Sequence, residues 1–340
     1  MPNYTVDRVI DGKLKIIAEI GSMHDGSLGN AMKAAEAAAE CGADVVKFQT
    51  HVAAAETLPD APMPPYFQGE PRLAYFERTA FSESQWQQLA RHCESLHVEF
   101  LSSPFCLEAV DILEHVGVKA YKIPSGEVTN IPLLEKIART GKPTYLSSGM
   151  SDWAELDRAV KTLRADVPLV VMQCSSIYPC PSDSVGLNLI DEMMKRYGLP
   201  AGLSDHTLGF GACIAAAALG ATAIEKHFTL SRRMYVSDAA NSMEPEDFSL
   251  LVRSLREVKE IISNPVDKNQ ISKFKEMKII FEKSIVTSRT VPSGHRLEID
   301  DLAFKKPGDG IGAAHYRELI GKTTVCELPA NTKIKWSDLL

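Results

Sequence analysis

Two histidines end consecutive short apolar runs: His206 closes PAGLSDH and His227 closes ATAIEKH, with a small-residue helical stretch between them. If both runs are neighbouring parallel strands, both imidazoles emerge at the same sheet edge. Neutral imidazole is the commonest protein ligand for borderline divalent metals, so a shared cation is the simplest chemistry for such a pair. Core or cap histidines are the competing reading, because two isolated histidines do not make a metal motif. What else lies at that edge decides between them.

The elements that must position the pair repeat along the chain. LKIIAEIG is a nearly continuous apolar run, as expected of a parallel strand buried on both faces, and a crossover helix should follow it. From Ser27 to Cys41, Leu28, Ala31, Met32, Ala35, Ala38 and Ala39 recur at helical spacing, and Gly42 stands at the C-cap. The unit recurs in DVVKFQT, VEFLSSP, AYKIPSG, PTYLSSG, LVVMQCS, PAGLSDH and ATAIEKHFT, making eight predicted strands by Thr229. The predicted helices run over Glu83–Leu96, Cys106–His115, Ile131–Thr140, Trp153–Arg164, Leu187–Tyr197, Phe210–Leu219 and Glu244–Ile262. That count and length describe an α/β protein with a (β/α)8 TIM barrel. An open doubly wound sheet is the alternative, but no G-x-G-x-x-G follows the first strand.

Barrel enzymes carry their chemistry at the carboxyl ends of the strands. Those ends offer Glu19, Lys47, Gln49, Ser102, Ser103, Lys122, Ser125, Glu127, Ser147, Ser148, Ser175, Ser176, Tyr178, Ser204, Asp205, His206, Glu225, Lys226 and His227. Lysines and hydroxyls in such number can surround a small phosphorylated substrate. The two histidines with Glu19, Glu127 and Asp238 suit an open nitrogen and oxygen site for manganese, iron, cobalt or zinc rather than calcium. Cys106 and Cys174 lie near the rim without an evident histidine partner, so packing is their expected role.

The 340 residues carry a net charge of −7, with 45% hydrophobic and 24% charged residues. This is the composition of a globular protein with a large core, and it argues against a nucleic-acid or anionic-membrane binder. Seven cysteines without CxxC spacing fit a reducing cytoplasm. No signal-peptide pattern and no membrane-spanning run is evident. The 32 residues between Thr50 and Glu83 lack a clean period, and at a strand's carboxyl end they are expected to form a lid or substrate-binding loop. The expected domains are a catalytic barrel over 1–263, a linker over 264–283 and a small β-rich domain over 284–340. Its expected strands lie in SIVTSRT, DLAFKK, GKTTVCEL and KIKW, and its size predicts a weak core that docks elsewhere.

Several of these stretches, taken in order, resemble one family. AEIGSMHDGS, VVKFQT, SSPF, YKIPSGE, LSSGM, IYP, GLSDHT and EKHFT are similar to the strand motifs of the sialic acid (nonulosonic acid) synthases. VPSG, KKPGDGIG and IGK are similar to the family's C-terminal antifreeze-like (SAF) domain. The resemblance implies a metal-dependent condensation of phosphoenolpyruvate with an open-chain N-acetylated hexosamine, N-acetylmannosamine or a di-N-acetyl analogue, with release of phosphate. It implies His206 and His227 as ligands of a divalent metal, Mn2+ first and Mg2+ or Co2+ as alternatives. Lys47, Ser103, Lys122, Ser125, Ser147, Ser176 and Ser204 match phosphoenolpyruvate contacts. Glu19, Gln49, Tyr178 and Asp238 match sugar-side or catalytic positions. Glu127 sits where a carboxylate can orient water, and Glu127 or Asp238 is the expected general base. A domain-swapped homodimer is also implied, in which each C-terminal domain covers the partner's barrel mouth.

This sequence departs from the family pattern at Met23, usually asparagine, at Ser176, often asparagine, and in the segment before Asp238. Lys306 replaces an arginine expected to reach the sugar's acyl group, and lysine lacks the planar fork. The alternatives are another phosphoenolpyruvate-dependent 3-deoxy-sugar-acid synthase, which would need a second basic cluster, and a non-catalytic carbohydrate- or ice-binding protein.

Overall fold

A computed structural model describes residues 14–63, 67 and 69–340. The eight apolar runs form β1 (Lys15–Gly21), β2 (Val45–Thr50), β3 (Glu99–Pro104), β4 (Tyr121–Ile123), β5 (Thr144–Ser147), β6 (Leu169–Cys174), β7 (Ala201–Asp205) and β8 (Ala223–His227). They pair in chain order, and β1 meets β8 in parallel to close the barrel. The (β/α)8 reading holds, and closure excludes the open sheet.

Each crossover helix forms for local reasons and buries one stripe. Trp153–Leu163 starts at Asp152, whose carboxylate accepts the Glu155 N–H while the Glu155 side chain returns to the Asp152 N–H. Leu156, Ala159, Val160 and Leu163 then fall on one face and are buried, and each large one contributes roughly 1.5–3 kcal/mol. The first helix, Leu28–Glu40, ends as predicted at a left-handed glycine, Gly42 with φ +90°.

The strands separate two apolar layers. The outer one lies between barrel and helices; the inner one is a plug of Ile17, Val45, Leu101, Ala120, Tyr145, Val170, Met172 and Ala223. Because side chains alternate along a strand, residues two positions beyond the plug also point inward. These are Glu19, Lys47, Ser103, Lys122, Ser147, Cys174 and Glu225, with Ser204 supplied by β7. At Gly202 the interior leaves no room: a Cβ there would stand 2.6 Å from the Ala223 carbonyl oxygen.

The same alternation turns other rim residues outward. Ser102 bonds Thr50 at 2.7 Å, Ser148 bonds Gln173 at 3.1 Å, and Lys226 pairs with Asp205 at 2.6 Å, all buried between barrel and helices. The rim as read from sequence was therefore too generous by these residues.

The chain divides into two compact units, Met1–Asn264 and Pro265–Leu340. In the second, β9 (Ser284–Thr287) and β10 (Leu302–Lys305) form an antiparallel pair. The runs GKTTVCEL and KIKW do not form ladder strands. They contribute isolated bridges such as Arg296↔Thr323, Val291↔Leu328 and Val286↔Lys333, and hydroxyl-to-carbonyl bonds, including Thr324 to Pro292 at 2.7 Å, add to these backbone pairings. The unit also has a core of its own, built on Ile285, Val291, Leu297, Leu302, Leu319, Leu328 and Ile334. Buried Asp301 ties its turns together, accepting from Arg289 at 2.9 Å, from His295 at 2.7 Å and from the Glu298 N–H. No described helix is long and apolar enough to cross a membrane.

Candidate active site

A cavity of about 430 Å3 opens at the carboxyl ends of the barrel strands. It gathers Glu19, Lys47, Gln49, Lys122, Ser125, Ser147, Ser176, Tyr178, Ser204, His206, His227 and Asp238 from the predicted set. Three predicted residues are not among its lining. Ser103 is fully buried, with its hydroxyl unpartnered. Glu127 is half-buried on the 3-10 turn after β4 and accepts from Asn130 at 2.7 Å. Lys306 is exposed in the second unit, its ammonium 4.9 Å from the centre of the Phe281 ring. Met23 belongs to the core, and its neighbour Ser22 faces the cavity instead.

Two lysines and two carboxylates form the floor. Lys47 lies 2.7 Å from Glu19 and 3.4 Å from Glu225, while Glu225 also receives Lys122 at 2.7 Å and Ser204 at 3.0 Å. Burial opposes every one of these charges, and their mutual contacts decide the outcome. At Lys47 the two carboxylates outweigh burial and the pKa rises; at Lys122 burial prevails and it falls. The two lysines hold Glu225 well below the usual carboxylate range. Gln49 donates to Glu19 at 2.7 Å and so extends the network toward the cavity mouth.

Above this floor stand the imidazoles, their ring centres 5.4 Å apart. His206 Nδ1 lies 2.7 Å from the Ser175 carbonyl, which can only accept, so Nδ1 carries the proton. Nε2 therefore presents its lone pair, 3.0 Å from the Tyr178 hydroxyl. His227 Nδ1 is buried without a hydrogen-bond partner. Burial lowers both imidazole pKa values to about 3, helped at His206 by His227 and at His227 by Lys47. Both rings are thus neutral. No cluster of three or more His, Cys, Asp or Glu able to hold a metal occurs among the described residues, so any cation here would rest on these two nitrogens with its other positions open.

Asp238 lies buried in the wall, and burial with the nearby Glu19 charge raises its pKa to about 6. A second feature is a cradle at Gly149, where a Cβ would stand 2.2 Å from the Ser176 hydroxyl and 2.6 Å from that of Ser125. Only glycine leaves these two hydroxyls their present positions.

The connection after β2, expected from the sequence to form a lid or substrate-binding loop, does line the cavity, although its individual lining residues were not singled out. It forms the helices Ala53–Glu56 and Arg72–Thr79, and it supplies His51, Met63, Arg72, Tyr75 and Phe76 to the cavity, joined by Phe105 from the connection after β3. The 3-4 spacing of Arg72, Tyr75, Phe76 and Thr79 was the available signal.

Fold and cavity define a closed (β/α)8 barrel with a buried, charge-paired site at its strand ends, followed by a separate small β unit. The family model described as the NeuB family matches residues 34–267, and the SAF domain model matches residues 282–340. The chain is 36% identical over 321 residues to the N,N'-diacetyllegionaminic acid synthase of Campylobacter jejuni, covering 91% of this chain and 95% of that one. It is 30% identical over 333 residues to the pseudaminic acid synthase of Helicobacter pylori, covering 96% and 97%. The crystal structure of the N-acetylneuraminic acid (sialic acid) synthetase of Leptospira borgpetersenii in complex with citrate superposes with a TM-score of 0.69 at 28% identity, over 78% of this chain and 90% of that one. This chain belongs to the NeuB family, whose named relatives make nonulosonic acids.

Proposed function

We propose that the protein condenses phosphoenolpyruvate with the aldehyde of an open-chain N-acetylated hexosamine, yielding a nonulosonic acid and inorganic phosphate. One observation carries the reading: buried Lys47 and Lys122 share Glu225 on a serine-lined floor beneath two neutral imidazoles. Carbon 3 of phosphoenolpyruvate bonds to the aldehyde carbon, whose oxygen takes a proton and becomes a hydroxyl. Water adds to carbon 2 and loses its proton. The bond from carbon 2 to the phosphate oxygen then breaks as the new carbon 2 hydroxyl gives its proton to the departing phosphate, leaving a keto group and free phosphate.

Lys47 and Lys122, with the hydroxyls of Ser125, Ser147, Ser176 and Ser204, bind the phosphate and carboxylate. Ser103 supports them from below. Glu19 and Gln49 hold the sugar end. Asp238, with its pKa near 6, is ionised at neutral pH yet basic enough to take the proton of the added water. A divalent cation held by His206 and His227, manganese first and magnesium or cobalt as alternatives, supplies Lewis-acid stabilisation of charge on the aldehyde oxygen. Charge balance supports it. Lining Lys47, Arg72 and Lys122 are matched in number by Glu19, Glu225 and Asp238, so the protein alone brings no net positive charge to a multiply charged anion. We further propose a homodimer, supported by the exposed apolar side chains Phe274, Ile280 and Phe281.

The test is phosphate release from phosphoenolpyruvate with manganese, across mono- and di-N-acetylated hexosamines, with and without chelator. Release that needs both the amino sugar and the metal is expected. No release with any acceptor would overturn the reading, and undiminished release in chelator would remove the histidine pair from it.

A further inference from the structure

Two buried charges stand beside the imidazoles and take no part in the proposed chemistry. Asp205 immediately precedes His206 on β7, Lys226 immediately precedes His227 on β8, and the two are partners in the last register pair of the β7–β8 ladder. Because side chains alternate along a strand, the histidines line the cavity while Asp205 and Lys226 turn to the opposite side of the sheet. There the Lys226 ammonium lies 2.6 Å from the Asp205 carboxylate, and each side chain is only 1% exposed.

The contacts of this pair reach both neighbours of His206. The same ammonium donates to the Thr207 carbonyl and, at 3.3 Å, to the Thr207 hydroxyl. The Asp205 carboxylate accepts the Thr207 N–H at 3.0 Å and the Thr207 hydroxyl at 2.9 Å, and it accepts the Cys213 thiol at 3.3 Å from the helix Gly211–Ala218. Residues 205 and 207 are thus tied to residue 226, and the two rings are carried on the residues between and beside these anchors. Hydrogen bonds to the rings do not do this alone. His206 is aimed by the Ser175 carbonyl, but His227 Nδ1 has no partner. The 5.4 Å between ring centres and the 53° between ring planes therefore depend on how the two strand ends are held. An apolar pair would join sheet to helix as well, and often more stably, since burying two charges is costly. What it would lack is direction, because apolar contact fixes neither distance nor angle and hydrogen bonds fix both.

We infer that the Asp205–Lys226 pair is a bracket that sets the separation and tilt of the His206 and His227 rings. Both are positioning residues, since neither lines the cavity and both act through the strand ends. The inference rests on the proposed two-nitrogen cation site, and it adds that the affinity of that site is built from outside the barrel.

The test is the manganese affinity of the full chain by equilibrium dialysis without substrate, read beside melting in chelator. Asp205→Asn combined with Lys226→Met keeps the shape of both side chains and leaves no uncompensated charge, so this double variant should melt close to wild type. Its Kd for manganese should rise roughly tenfold to a hundredfold, the range for groups that orient metal ligands. The electron paramagnetic resonance spectrum of the bound ion should change with it. Asp205→Asn combined with Lys226→Gln keeps a donor for the Thr207 carbonyl on a shorter stem, which secures the fold while changing the span, and it should weaken binding in the same direction. Ser102→Ala removes a hydroxyl buried in the same way at the end of β3, and it should leave the affinity unchanged. A Kd within about twofold of wild type in whichever double variant melts near wild type overturns the bracket. So does an equal loss in Ser102→Ala, which would trace the effect to a general loosening of the barrel. No manganese binding by the wild type removes the cation site itself, and the bracket with it.

Discussion

Asp238→Asn should stabilise the protein and disable it at once. Asp238 is buried, and its pKa is raised from 3.8 to about 6, first by burial and then by Glu19. The unfolded chain releases this proton near pH 4, the folded chain only near pH 6. Between those values the folded state holds more protons, so stability falls as pH rises through the window and levels off above it. The shift corresponds to about 3 kcal/mol against the ionised fold at neutral pH. Asparagine carries no such charge. By scanning calorimetry in chelator at pH 7.5, Asp238→Asn should melt up to roughly 5 °C above wild type, and the gap should shrink to about half in free energy at pH 5. Turnover should drop by about a hundredfold or more, the usual contribution of a general base. Glu127→Gln, which lies outside the cavity lining, should keep most of its activity. Unchanged melting at pH 7.5, or near-normal turnover in Asp238→Asn, would refute the reasoning and return the base to Glu127.

His227→Ala should lower manganese affinity more than tenfold by equilibrium dialysis, since one of two nitrogens is lost; undiminished binding would place the metal elsewhere. Gly149→Ala should raise the KM for phosphoenolpyruvate about tenfold with little change in melting, because its Cβ would meet the Ser176 hydroxyl at 2.2 Å. An unaltered KM would show that the cradle holds nothing. Asp301→Ala should cost about 3 kcal/mol in the second unit, seen as faster hydrogen exchange over residues 284–340. Burial pushes the Asp301 carboxyl up, but the Glu298 N–H, His295 and Arg289 outweigh it and the pKa is lowered. Its stabilisation is therefore full above the ordinary carboxylate pKa and is lost as pH falls through the lowered value.

The strands were legible because a strand buried on both faces reads as an unbroken apolar run, and eight such runs left little choice of topology. Their polar ends were legible as a set, not one by one. Ser102, Ser148, Asp205 and Lys226 look like rim residues until period-two alternation is counted from the plug residues, which sends them outward. Glu225 was visible, but its position between two lysines depends on closure across the barrel. The wall of His51, Arg72 and Phe76 was hidden because the eight-residue helix Arg72–Thr79 lies inside a long aperiodic connection and buries only part of one face. Nor could the unpartnered nitrogen of His227 be read from residue types. In the second unit, GKTTVCEL and KIKW had strand composition, yet they pair with their neighbours one residue at a time, as isolated bridges rather than ladders.

Closure by β1 and β8 brings Glu19 level with His227, so the site joins the first strand of the barrel to the last. Lys47 meets Glu19 across the neighbouring strands β1 and β2, but it reaches Glu225 on β8 only when both ends of the sheet have met. A sheet without β8 lacks Glu225 and so leaves Lys122 without its carboxylate and the floor unformed. Contacts between segments so distant in sequence carry a large loop-closure cost and form slowly. Completion of the barrel and assembly of the charge-paired floor are therefore one event on the folding pathway, and a truncated or nascent chain that stops before β8 has no such floor.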